Sequence, residues 1–246
     1  MAATDSAAII TRFVEQQAAN RKRADQYTYV EHAVYVSFDK GGKSKKDRSE
    51  TREVMFVEGL PYRKLVAKNE QPLSAGDQAK EDARQRQTAE ERRKQRRAGL
   101  LRRTFTLGTD KDLLDLFDCS ATREEELRGR KAWVMECAPK AGREPANARE
   151  KEAMSFRRTL WIDQQEYALL RSVHTVLSGK VNMKPGSTLT FDFAKVHDDA
   201  WMATSGVIDG KLQFLLAIQP AVRTEYTYSG FQKFDVESTI TPDGEK

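Results

Sequence analysis

The side chains that could do chemistry are few, and each set has a plain reading beside a functional one. Ser37-Phe38-Asp39-Lys40 matches the Ser-x-x-Lys spacing of acyl-transfer nucleophiles. That chemistry needs the serine at a helix start, and here the run leaves a strand for a polar hairpin loop. His197-Asp198-Asp199 offers three metal donors in a row, but no second ligand set accompanies it and the segment reads as a polar turn between strands. His32 and His174 fall inside strand-like segments far apart in sequence and read as structural. There is no phosphate-binding glycine loop, nucleophile elbow or Cys-x-x-Cys. The sequence therefore names no catalytic residue, no metal site and no cofactor.

Cys119 and Cys137 are the remaining reactive pair. They stand nine residues on either side of Arg128, which begins an Arg128-Gly129 turn. In a hairpin centred there they face each other, with Ala121 facing Met135. A directly opposed antiparallel pair can close a disulfide. Two readings stay open: a bridge formed in an oxidising envelope compartment, or two buried thiols.

Charge supplies the next signal. The formal net charge is +5, from 42 basic and 37 acidic residues. Residues 80–103 hold ten Lys/Arg against four acids, a net +6 that leaves the other 222 residues at −1. Arg84, Arg92, Arg93, Lys94, Arg96 and Arg97 of this segment are candidate contacts for an acidic protein partner or an anionic membrane surface. A solvated helix face is the plain alternative. Nucleic acid is disfavoured, because no aromatic residue interleaves the run between Tyr62 and Phe105.

The elements that must position these residues follow from periodicity. Ile9, Ile10, Phe13, Val14 and Ala18 give an amphipathic N-terminal helix, capped by Asp5 or Ser6 and closing on Arg21-Lys22-Arg23. From Tyr27 the period becomes two. Strands are expected at 27–38, 48–57 and 61–67. Ser74 caps a long, Pro-free basic helix with little buried surface, and a short helix follows at 110–117. The helical insertion thus covers about residues 74–117. Strands are then expected at 117–126, 131–138, 156–163, 168–177, 187–196, 200–208, 211–218 and 222–237. Asp209-Gly210 reads as a two-residue turn, and 139–153 as a mobile loop. With about eleven strands and no helical crossover late in the chain, the expectation is an α+β fold: one domain, 1–246, built on a single antiparallel sheet.

This layout and three local motifs resemble the bacterial lipoprotein-carrier superfamily, the outer-membrane lipoprotein-sorting proteins. The motifs are Glu58-Gly59-Leu60-Pro61-Tyr62-Arg63, the hairpin return Gly129-Arg130-Lys131-Ala132-Trp133-Val134-Met135-Glu136, and Leu160-Trp161-Ile162-Asp163 followed by Tyr167-Ala168-Leu169-Leu170-Arg171. The resemblance implies a strongly curved, unclosed half-barrel with helices on its concave side. It also implies a non-enzymatic periplasmic protein; MAATDSAAIITRF has no basic or long apolar export segment, so either a signal was removed or missed, as the resemblance implies, or the protein is not exported. Such a surface binds something apolar or is covered. Trp133, Met135, Trp161, Phe191, Phe193, Trp201, Phe214 and Leu216 are the candidate lining residues, and packing as a core under the helices is the alternative for each. The expected ligand is a lipid or the acyl chains of a lipoprotein. An envelope protein-interaction or stress-sensor module on the same fold is the alternative function.

Overall fold

The computed structural model describes residues 5–38, 43–99, 110–178, 183–211 and 221–234. Helix α1 (Ser6–Ala24) leads into β1 (Tyr27–Phe38), β2 (Ser44–Val57), β3 (Leu60–Lys68) and β4 (Gln71–Pro72). Helices α2 (Ala75–Arg97) and α3 (Asp110–Leu116) interrupt the strands. Then come β5 (Phe117–Leu127), β6 (Arg130–Pro139), α4 (Ala148–Ala153), β7 (Phe156–Asp163), β8 (Leu169–Val176), β9 (Thr188–Val196), β10 (Ala200–Lys211) and β11 (Ala221–Lys233).

All eleven strands join one antiparallel sheet in the order β4-β3-β2-β1-β11-β10-β9-β8-β7-β6-β5. The first and last long strands meet in its middle, and β4 and β5 form its two edges, so the sheet is open. Two hairpins turn on left-handed residue pairs, Glu58-Gly59 (φ 50° and 74°) and Arg128-Gly129 (φ 53° and 76°). That geometry matches the right-handed twist of the flanking strands.

Cross-strand partners project to the same face, so register defines a row across the sheet. It runs Ala121, Met135, Leu160, Ser172, Phe191, Gly206, Tyr226, Ala33, Glu50. We call this the inner face, because α1 lies on it. Ile9, Ile10 and Phe13 of α1, with Leu113 and Leu116 of α3, pack on Met135, Leu160 and Ile162. Helix α1 starts at Asp5, whose carboxylate accepts from the amides of Ala7 and Ala8. Asn20 ties its far end down by accepting from the Trp201 amide and donating to the Trp201 carbonyl, each at 2.7 Å.

Helix α2 packs on the other face. Tyr62, opposite Met55, donates to the buried Glu81, while Gln85 reaches the Met55 sulfur and Lys64 pairs with Asp82. Glu81 is its one buried residue, as a polar surface helix requires.

Two expectations need correction, and a third lies almost wholly outside the described residues. Asp209-Gly210 does not turn the chain: β10 continues to Lys211, with Asp209 opposite Arg223 and Gly210 opposite Val222. Gly210 is there for close approach, since a Cβ would lie 2.3 Å from Ser187 Oγ. The expected strand at 211–218 falls, beyond Lys211, outside the described residues. The sheet reaches eleven with the short edge strand β4 instead. Within 139–153, α4 forms because Asn147 caps it by accepting from the Glu150 amide, and Ala153 is buried.

Candidate binding face

The apolar candidates are not gathered at one place. Trp133 and Met135 lie on the inner face beneath α1, Met135 fully buried and the Trp133 ring 5.3 Å from that of Tyr167. Trp161 projects to the opposite face, level with Val134 and Arg171. It packs with Ala132, Leu170 and Trp201 in a separate cluster. Both indoles there are tied to carboxylates: Trp161 Nε1 donates to Glu125 at 2.7 Å and Trp201 Nε1 to Glu166 at 3.1 Å. Phe191 belongs to a third cluster with Phe156, Val176 and Leu189. Its ring lies over Gly206, where a Cβ would be 2.6 Å away. Phe193 is half-buried. Phe214 and Leu216 lie outside the described residues.

Cys119 sits opposite Cys137 in the β5–β6 register, their Cα atoms 4.1 Å apart, and the two sulfurs are joined in a disulfide. Cys137 is fully buried in the cluster under α1. The bond therefore fastens edge strand β5 to the sheet where α1 covers it.

Of the six basic candidates on α2, four reach the β2–β3 turn or the sheet behind it. Arg92 donates to the carbonyls of Val57, Leu60 and Pro61 at 2.8–2.9 Å. Arg93 and Arg96 hold Glu58, and Arg84 bridges Glu81 and the Arg63 carbonyl. Lys94 and Arg97 face solvent. The Glu58–Arg63 motif is therefore the platform on which α2 docks.

His197 and Asp198 adopt left-handed φ values of 49° and 51° in the β9–β10 turn. Asp199 accepts from Tyr27 and Lys233, and His197 stacks on Tyr27. Tyr27, His197, Asp199 and Lys233 line an open cavity of about 510 Å³ with Phe231 and Gln232. Among the described residues no group of three or more potential metal ligands occurs. His32 Nδ1 is 3.0 Å from Thr51 Oγ1. His174 is buried beside Phe156 and Arg158. Burial, and next the charge on Arg158, lower its pKa to about 3, so the ring is neutral at ordinary pH.

A cluster that the sequence did not single out occupies the inner face beside the C-terminal end of α1, whose Ala24 belongs to the same apolar cluster as Tyr29. Tyr29, Glu31, Ala33 and Tyr35 alternate inward from β1. Across β11, Glu31 and Ala33 face Tyr228 and Tyr226; across β2, Glu31 and Ala33 face Arg52 and Glu50. The Glu31 side chain is only 5% exposed. It accepts from Arg63 of β3, and Arg52 lies 3.6 Å away. Arg52 and Tyr35 both donate to Glu50. Tyr29 meets Tyr228 edge-on at 5.9 Å, and Tyr226 stacks parallel to Tyr228 at 6.3 Å. Burial, and next the Glu31 charge, raise the pKa of Tyr228; burial likewise raises those of Tyr226 and Tyr29. All three phenols stay protonated. The signal in the sequence was Glu31 itself, a charge set between Tyr29 and Tyr35 on an otherwise apolar and aromatic face.

No family model and no curated protein matches the chain. Among solved structures, a domain described as that of an outer membrane lipoprotein-sorting protein from Vibrio parahaemolyticus is 12% identical, with 95% of each chain covered and a TM-score of 0.44. A DUF1329 family protein from Desulfovibrio piger is 16% identical over 95% of each chain, also at 0.44. A LolA superfamily protein from Nitrosomonas europaea is 11% identical over 97% of this chain and 98% of its own, at 0.36. No helix among the described residues is long and apolar enough to cross a membrane.

Proposed function

We propose that this is a periplasmic binding protein that works by burial rather than by bond-making chemistry, sheltering an acyl chain of a lipid or lipoprotein on the inner face of its open sheet. One observation carries the reading: the inner face continues past α1 as half-buried aromatic surface, through Phe191, Tyr226, Tyr228 and Tyr29. Aromatic area left in that state is stabilised by an apolar occupant, at about 0.8 kcal/mol for each methylene removed from water. The motif resemblance points the same way. The Cys119–Cys137 bridge suits an oxidising compartment.

The test is direct. Protein purified gently and sprayed under native conditions should carry a lipid, and the delipidated protein should bind a fluorescent fatty acid in competition with unlabelled acyl chains. A lipid-free spectrum together with no fatty-acid binding would remove the proposal. The second reading, a protein-interaction module, is favoured by β5, an edge strand of 11 residues, and by the exposed Lys94 and Arg97 of α2. A crosslinking capture that returns one stoichiometric protein and no lipid would select it.

A further inference from the structure

The aromatic end of the inner face carries more than apolar area. Arg63 is half-exposed, at 52%, while the carboxylate that holds it, Glu31, is buried at 5%. A ligand arriving on this face therefore meets the guanidinium and not its counter-ion. The hydroxyls of Tyr226 and Tyr228 have no hydrogen-bond partner among the described residues, yet both rings are fixed by stacking on each other. Register puts Tyr228 directly opposite Glu31, the residue that Arg63 grips. A planar guanidinium and two phenolic donors thus converge on one patch, oriented by a carboxylate that is out of reach.

We infer that Arg63, Tyr226 and Tyr228 form a receptor for an anionic group, a phosphate or carboxylate, at the head of the bound amphiphile. The inference rests on the acyl-chain reading above and names which end of the ligand lies where. Guanidinium and hydroxyl groups are donors matched to oxyanions. The charge census agrees: Arg48, Arg52 and Arg63 stand against Glu31 and Glu50. An aromatic box alone would also suit a quaternary ammonium. Arg63 beside the two tyrosines decides against a cation. The raised tyrosine pKa values keep both phenols as donors rather than phenolates, which would repel the ligand.

The experiment uses the delipidated full chain and four probes: dodecyl phosphate, neutral monolaurin, dodecyltrimethylammonium and inorganic phosphate. Isothermal titration should give dodecyl phosphate a Kd about 10–100-fold below that of monolaurin, the effect of one or two charge-assisted hydrogen bonds. Arg63→Gln should remove most of that preference of dodecyl phosphate over monolaurin. Tyr228→Phe, which keeps the ring, should reduce it several-fold. Equal affinity for the phosphate and the neutral lipid, or preference for the ammonium, would overturn the head-group site while sparing the acyl-chain reading. Binding of inorganic phosphate as tight as that of dodecyl phosphate would keep the anion site and overturn the lipid. No binding of any probe would overturn both.

Discussion

The two ends of the inner face are built on one pleated surface and are opposite in character. At the β5–β7 end, Met135, Leu160, Ile162 and Cys137 are buried beneath Ile9, Ile10 and Phe13. That end is strapped as well as covered. Ser6 accepts from the Ala121 amide, Arg12 donates to the Tyr167 hydroxyl, and a disulfide pins the edge strand, while Asn20 anchors the other end of α1 to the Trp201 backbone of β10. At the β1–β3 and β11 end the same face carries tyrosines, arginines and a buried glutamate, Glu31. There the rings are half-buried and the Arg63 head is exposed. A sealed apolar end supplies stability; an aromatic end with hydrogen-bonding capacity unspent can supply recognition. The difference teaches that large apolar residues, the natural suspects for a ligand site, are spent on several separate packing clusters: Trp133 and Met135 under α1, Trp161 and Trp201 together elsewhere, and Phe191 with Phe156 and Val176.

That division can be broken by substitution, most strongly at the sealed end. Phe13→Ala should cost about 3–5 kcal/mol in chemical denaturation, the range for deleting a buried ring, and should leave ligand affinity unchanged in the folded fraction. Removing the bridge with paired Cys119→Ser and Cys137→Ser should cost about 3 kcal/mol, as expected for a loop closed by a sequence separation of 18. Hydrogen exchange should then rise first along β5.

Between the two ends, His174 should give the fold a pH dependence. Its folded pKa, about 3, lies below its unfolded value, so the unfolded chain binds the extra proton. Stability is fully present above pH ~6.5 and falls as pH drops toward 3, with a limiting slope of about 1.4 kcal/mol per pH unit from this group. His174→Leu should flatten that slope in urea titrations at a series of pH values.

On the outer face, Arg92→Ala should cost about 1–3 kcal/mol by orphaning three carbonyl contacts, with faster exchange confined to α2 and the β2–β3 turn. Smallest of all, Tyr228→Phe should change stability by less than about 0.5 kcal/mol, because it deletes a hydroxyl with no partner among the described residues. If Tyr228→Phe were instead strongly destabilising, the aromatic end would be a second structural core and the contrast would fail.

Much of the scaffold was legible because its signals are local. Strict alternation bounded β1 at Tyr27–Phe38. The Arg128-Gly129 turn located the hairpin and Cys119 does face Cys137, but the turn alone, closing on Leu127 opposite Arg130, would set Cys119 against Ala138; an irregularity between Ala121 and Arg123, which the sequence did not signal, shifts the register by one. Charge composition marked α2 as a surface helix. What stayed hidden depends on non-local packing. Alternation says that Trp133 and Trp161 point to opposite faces of their strands' sheet only once register is known, and it says nothing of which face a helix covers. Asp209-Gly210 resembled a turn because glycine serves close approach and reversal equally well. Arg92 and Arg96 resembled solvent-facing charge because nothing local reveals the Glu58–Pro61 turn beneath them. The Glu31 cluster was missed for the same reason: charged residues in a strand read as outward until β3 and β11 are placed beside it.

The central claim is that ligand meets the aromatic end of the inner face and not the end beneath α1. A photoactivatable fatty acid, with its reactive group near the carboxylate, should be crosslinked to the delipidated protein and the adducts mapped by peptide mass spectrometry. The account predicts adducts on the peptides carrying Tyr29–Tyr35, Arg63 and Tyr226–Tyr228. Adducts concentrated on α1 and on the strands holding Met135 and Leu160 would contradict it.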